Sequence, residues 1–323
     1  MLRTRLCELV GIDVPVIQAG MSIHTSPALV AAVSEAGGLG SLGVWQRPVD
    51  ELRVDLESLR ERTDRPFALN HVVPALVEEA FELCLAARPA VMAFALDDAG
   101  PLVARAHDAG ALAMQQITTV DQAERAVANG VDIIVAQGGE AGGFGGGVAT
   151  LALVPQVVDA VDPVPVVAAG GISDGRGLAA ALVLGAVGVN LGSRFLASAE
   201  SPVPAAWKEA LRSTPAQDWV KLGFVNDLNP NPGALGYGTT VRGRRTAFTE
   251  HWEAHRDELR VDPSPAIAEI GRATAEGRRE ELLVIGGQSA GLIHDTPSVA
   301  EIIERVVAEA EGALRAGVDT IEL

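Results

Sequence analysis

The chain has 323 residues, 48% of them hydrophobic, and 42 acidic against 25 basic side chains give a formal charge of −17 at pH 7. That length suits one large α/β barrel or two ordinary domains, with a sizeable core in either case. The charge argues against a nucleic-acid backbone as the main partner, and no apolar run reaches the roughly 18–20 residues of a membrane span.

The N-terminal segment carries Arg3 and Arg5, but Glu8 and Asp13 interrupt it before any long apolar stretch, so it makes a poor signal peptide. Cys7 and Cys84 have no metal-ligand spacing, and nothing points to an oxidising compartment. The cytoplasm is the expected location. Short apolar runs then follow at 11–20, 37–43, 66–70, 90–96, 111–117, 132–138, 163–171 and 186–193. Between them lie stretches with the 3.6-residue period, opened near Ser, Thr or Asp and often closed by Gly. Strand and helix alternate with short connections, which means parallel strands. Eight such units predict a (β/α)8 TIM barrel, with an open doubly wound sheet as the alternative.

The last unit is interrupted. Residues 198–290 separate the eighth strand from a clean final helix, PSVAEIIERVVAEAEGALRAG. WKEAL, FTEHWEAHRDELR and PSPAIAEIGRATAEGRREEL read as helices, and DLNPNPGALGYG reads as a loop. The expected organisation is a barrel over 1–197 and 291–323, with 198–290 as a helical lid over its mouth, where insertions shape substrate sites.

The runs at 163–171 and 186–193 end in AAGGISDG and NLGSRF. Gly170 and Gly171, then Gly192 and Ser193, let backbone N–H groups point at an anion. The loops after strands seven and eight are the usual phosphate grip of this fold. The other strand ends supply Gln18 to Met21, Asn70 with His71, Gln115 with Gln116, and Gln137. Carboxamides both donate and accept, which suits the edge of a flat polar heterocycle and suits a divalent metal poorly. The stretch EAGGFGGG, with Gly142 and Gly143, lets a ring or phosphate pass close to the backbone.

VIQAGMS, SEAGGLGSLG, PFALN, GVDIIVAQGGEAGG, VVAAGGISDGRGLAAALVLGAVGVNLGSRFLAS and GGQSAGLIHD, in this order, resemble the nitronate monooxygenase family, with flavin-dependent enoyl-ACP reductases as relatives. The resemblance implies an FMN-binding barrel. Carried over by position, the flavin contacts are Ala19, Gly20, Met21, Asn70, Gln137, Gly142, Gly171, Asn190, Gly192 and Ser193, with Gln288 approaching from the C-terminal segment. One position departs. The family pattern is E-A-G-G-H, and its histidine serves as base or proton donor, whereas this chain has Phe144 there. Phenylalanine exchanges no proton, and losing a positioned general base typically costs about 10²- to 10⁴-fold in rate.

His24 and His71 are the candidate replacements, with helix capping and loop packing as the bland alternatives. His251 and His255 have i,i+4 spacing but no visible third ligand, so they read as an exposed helix face and no metal is expected. Arg242, Arg244 and Arg245 could meet the phosphate of NAD(P)H or of a CoA-linked substrate, or else pair with nearby carboxylates. Tyr237 reads as a loop anchor, and Cys84 as inert core. The expected function is FMN-dependent oxidation of small nitronates or nitroalkanes with dioxygen. The alternative is an NAD(P)H-dependent flavin reductase acting on an enoyl, quinone or CoA-linked substrate, and a third reading is a flavin binder whose catalysis has decayed. The expected partner is a small-molecule substrate, with NAD(P)H and a homo-oligomer kept as candidates.

Overall fold

A computed structural model of the protein describes residues 2–228 and 237–319. All eight expected runs are strands: β1 (Val16–Gln18), β2 (Gly40–Gly43), β3 (Phe67–Val72), β4 (Val91–Ala95), β5 (Leu112–Ile117), β6 (Ile133–Gln137), β8 (Val166–Ala169) and β9 (Gly188–Leu191). A short strand β7 (Gly143–Gly145) stands outside this set. The eight pair in parallel in the order β1-β9-β8-β6-β5-β4-β3-β2. The two ends of the sheet meet at a single bridge, Ile17 to Leu39, so the barrel is nearly closed. Gln18 completes the seam: its Nε2 donates to Ser41 O at 3.1 Å and its Oε1 accepts from Ser41 N at 3.0 Å. A carboxamide there imitates a peptide and satisfies groups that would otherwise be buried unpaired.

Side chains alternate along each strand, as the pleat requires. Ile17, Leu39, Ala68, Val91, Ala93, Met114, Ile133, Val135, Val167 and Ala169 fill the barrel, and Leu6, Cys7, Val10 and Ile12 from the N-terminal segment join the same cluster. The helix Arg5–Val10, short and easily missed, supplies three of them. Val16, Phe67, Leu69, Met92, Phe94, Ile134, Ala168 and Val189 face the helices instead. Those helices start where local chemistry tells them to. Ser26 accepts from Leu29 N, Thr119 from Gln122 N, and Asp174 from Arg176 N and Gly177 N. Cys84 lies in this outer layer, and burial pushes its thiol up to about 12, leaving it inert. The long helix Val299–Asp319 closes the ring against Gly175–Val183.

Between β9 and that helix the chain forms the expected helices, among them Ala205–Ser213, Ala247–Ala254 and Ser264–Ala275. It also forms two strands that the sequence did not predict, β10 (Trp219–Lys221) and β11 (Thr240–Arg244). They build an antiparallel sheet in the order β10-β11-β7, with Val241 opposite Phe144. The segment is therefore mixed, and its sheet is completed by a strand from the loop after β6. Much of the expected Asn-, Pro- and Gly-rich loop, residues 229–236, lies outside the described residues. No helix among the described residues is long and apolar enough to cross a membrane.

Candidate active site

The inward parity of each strand continues past the apolar core to its C-terminal end. Two residues beyond Ala68 comes Asn70, beyond Met114 comes Gln116, beyond Val135 comes Gln137, and beyond Gly188 comes Asn190. The mouth thus has a floor of carboxamides. Gln116 Nε2 donates to Gln137 Oε1 at 3.1 Å, while Asn190 Oδ1 is buried with no partner. A buried unpaired oxygen is costly and marks a place where a donor belongs. Gly20 lies so close to the Asn70 side chain that a Cβ would sit 2.3 Å from Asn70 Cβ, so glycine is the only residue that fits. Gln115 points the opposite way, donating to Tyr237 Oη at 3.2 Å. Burial raises the Tyr237 hydroxyl to about 12, and Gln122 Nε2 donates to its carbonyl at 3.3 Å. Tyr237 is a loop anchor.

The loops after β8 and β9 present backbone. Gly170 and Gly171 take φ of +92° and +74°, a conformation that side chains resist. Among the described residues, no acceptor takes the N–H of Gly171, Gly192 or Ser193. Such amides are suited to a phosphate. The C-terminal segment braces these loops. Gly287 N donates to Ser193 Oγ at 2.9 Å, Gln288 N to Glu140 O at 2.9 Å, and Ser173 Oγ to Ser289 O at 2.9 Å. Ala19 N donates to Leu191 O at 3.0 Å, and Met21 Sδ would lie 3.5 Å from a Cβ on Gly192. Ala19, Gly20, Met21, Gly192 and Ser193 therefore share one side of the mouth. Glu140 accepts from Thr150 N and Thr150 Oγ1 at 2.9 Å, which fixes the loop carrying Gly142 and Gly143 to the start of the next helix.

Opposite the amides is an apolar wall. Phe144 packs with Trp45, Ala75, Val72, Ala95 and Leu96, its ring 6.4 Å from that of Trp45 in an edge contact. Val72 and Ala95 are the last inward residues of β3 and β4.

The two candidate histidines pack against rings other than Phe144. His71 has the parity of Phe67 and Leu69, so it points away from the mouth into the helix layer. It is 2% exposed, its ring 5.1 Å from Phe81 and 6.4 Å from Phe94. Burial lowers its pKa to about 4. His71 is therefore corrected to a core residue. His24 packs 4.6 Å from the Trp207 ring, and burial, then Arg279, lower it to about 4. It is neutral at physiological pH and held by the insertion. The rings of His251 and His255 stack 4.3 Å apart.

The arginine cluster is structural. Arg242 donates through Nη2 to Gly139 O at 2.7 Å and through Nη1 to Trp219 O. Arg244 donates to Glu280 O at 2.7 Å. Arg245 pairs at the surface with Asp218 and Glu250.

One polar side chain escaped the sequence reading. Lys221, on β10, reaches across the small sheet and donates through Nζ to Gly145 O at 2.8 Å and Thr240 O at 3.1 Å. A Cβ placed on Gly145 would lie 3.1 Å from Lys221 Nζ and 3.5 Å from Gln137 Oε1. The ammonium and the Gln137 carboxamide thus flank the same side of Gly145. Burial, then Arg242, lower its pKa to about 8, opposed by Glu140. The only available signal was a lysine inside an apolar run, WVKLGF.

Comparison with known proteins agrees with this architecture. The model of the family described as nitronate monooxygenase matches residues 3–82 and 77–309. The chain is 35% identical to the (3aS,4S,5R,7aS)-5-hydroxy-7a-methyl-1-oxo-octahydro-1H-indene-4-carboxyl-CoA dehydrogenase of Mycobacterium tuberculosis, over 96% of each chain. It is 32% identical to a probable nitronate monooxygenase of Staphylococcus saprophyticus, over 96% of this chain and 98% of that one. Among solved structures, FabK from Thermotoga maritima superposes with a TM-score of 0.88 at 33% identity, covering 99% of this chain and all of FabK. The nitroalkane oxidase of Streptomyces ansochromogenes superposes at 0.82 with 27% identity, covering 97% and 99%. The chain belongs to the nitronate monooxygenase family and is an oxidoreductase.

Proposed function

We propose that the protein is an FMN-dependent dehydrogenase of an apolar acyl compound carried as a CoA thioester. The observation that carries this reading is the wall of Phe144, Trp45, Val72 and Leu96, which stands where the family pattern puts a histidine. A small nitronate anion gains nothing from that wall, whereas an apolar acyl group gains about 25 cal/mol per Å² buried there. The CoA-linked substrate named for the mycobacterial relative is of this chemistry.

The residues fit FMN. The N–H groups of Gly171, Gly192 and Ser193 are free for a phosphate, and unpartnered Asn190 Oδ1 can accept from a ring N–H or ribityl hydroxyl. Asn70 and Gln137 offer both donors and acceptors to the ring edge, and Gly142, Gly143 and Gln288 border the same space. When bound, FMN supplies a two-electron acceptor. The chain itself would orient the acyl group against Phe144, and the described residues between 198 and 290 would exclude water as a cover over the mouth.

A second reading, oxidation of nitronates with dioxygen, is favoured by the family match and by the staphylococcal relative. Steady-state turnover separates the two. FMN-loaded protein is expected to oxidise a saturated apolar acyl-CoA with a dye acceptor faster than it consumes propyl-2-nitronate in air. The opposite order would select the nitronate reading, and reduction by NADH or NADPH would select the reductase direction.

A further inference from the structure

Only two of the chain's 25 basic Lys and Arg residues are lysines, Lys208 and Lys221. Arginine therefore serves almost every ion pair, and it keeps its proton at all accessible pH values, whereas a lysine can give its proton up when partly buried. Lys208 is at the surface, donating to Ala199 O at 3.2 Å. Lys221 packs against Gly145, close to the end of β6 where Gln137 lies. Two of its three N–H groups are held by Gly145 O and Thr240 O, which leaves one direction open. The carbonyls fix Nζ against Gly145, next in the chain to Phe144, and a Cβ on Gly145 would have both Lys221 Nζ and Gln137 Oε1 within 3.5 Å.

We infer that Lys221 is the proton-exchanging residue of this active site, standing in for the missing histidine from a different strand. The inference rests on the dehydrogenase reading for its substrate but not for its location. The step is a proton transfer only. An acidic proton of the substrate passes to the neutral amine, which becomes the ammonium, and the ammonium returns it in the reverse direction. The electron pair of that C–H bond forms the new carbon–carbon double bond, and the hydride expelled from the neighbouring carbon would be taken up by the FMN proposed above, which Asn70, Gln137 and Asn190 would hold. The charged groups that face Lys221 are Arg242 on β11, which favours the neutral amine, and Glu140 after β6, which favours the ammonium. Burial acts with Arg242, so a useful fraction of free amine exists just above neutrality.

A bland alternative is that Lys221 merely clips β10, β11 and β7 together. Two measurements distinguish the roles. First, the protein is grown with ¹³C-labelled lysine, and the two ε-carbon signals are followed against pH with and without FMN. Lys221, assigned with Lys221→Arg, is expected to titrate near pH 8 and to shift on FMN loading, while Lys208 does neither. Titration of Lys221 near the ordinary lysine range, unmoved by FMN, would overturn the inference whatever the substrate proves to be. Second, Lys221→Arg keeps the charge and can keep both carbonyl contacts, so its thermal midpoint and FMN affinity should match the parent. Its rate of flavin reduction by the substrate that reduces the parent should fall about 10²-fold or more, with the pH dependence near 8 gone. Parent-like rates in Lys221→Arg would reduce Lys221 to a clip. Failure of the parent to react with any acyl-CoA would sink the dehydrogenase reading and leave the NMR result standing on its own.

Discussion

On one side of the barrel mouth the loops after β8 and β9 offer backbone amides, from Gly171, Gly192 and Ser193. On the other side the three-stranded sheet offers side chains, Phe144 and Lys221. The first side is built from neighbours in sequence at two strand ends and needs glycine for its backbone. The second is assembled from chain segments more than 70 residues apart, with Lys221 reaching Gly145 across 76 positions. The difference separates tasks. In the proposed function, the backbone amides would hold an anion without choosing among substrates, while the side chains of the sheet would choose the substrate and handle its proton.

Perturbing each side should therefore break a different property. Gly171→Val forces a β-branched residue to φ of +74°, a strain on the order of 1–3 kcal/mol that also moves the free amide. FMN affinity should weaken by about 10- to 100-fold, read as a fluorescence-titrated Kd, and an unchanged Kd would show that this loop holds no phosphate. Comparable in size but outside the mouth is His71. Its folded pKa, about 4, lies below the ordinary 6.5, so its contribution is complete above pH 6.5 and is lost as pH falls toward 4. His71→Leu should remove on the order of 1–3 kcal/mol of acid sensitivity from denaturant unfolding, while leaving the reduction rate of bound flavin unchanged. A slowed reduction would put His71 back in the active site. Phe144→Ala should raise KM for an apolar acyl-CoA about tenfold by losing apolar contact, with Kd for FMN untouched. The smallest effect belongs to Arg245→Ala. Exposed pairs of this kind contribute about 0–1 kcal/mol, and neither stability nor KM for an apolar acyl-CoA should move measurably.

The barrel was legible because its signals are local. Eight apolar runs separated by capped, periodic helices leave little choice of architecture, and the glycines of AAGGISDG and NLGSRF mark a backbone-built site without reference to any other residue. Parity was harder. Asn70 and His71 are adjacent, yet one faces the mouth and the other faces Phe81, and a run as short as PFALN does not say which. The small sheet was not legible at all. Gly-Phe-Gly has no strand propensity of its own, and it becomes β7 only because β11 lies beside it. Lys221 was missed for the same reason, since its relation to Gln137 exists only once β10, β11 and β7 have paired.

The proposed substrate chemistry is tested most directly by anaerobic reduction of the FMN-loaded protein, followed by loss of flavin absorbance after mixing with one electron donor at a time. A saturated apolar acyl-CoA is expected to bleach the flavin within the turnover time, with propyl-2-nitronate slower or inert. Rapid bleaching by propyl-2-nitronate alone, with the acyl-CoA leaving the flavin oxidised, would contradict it.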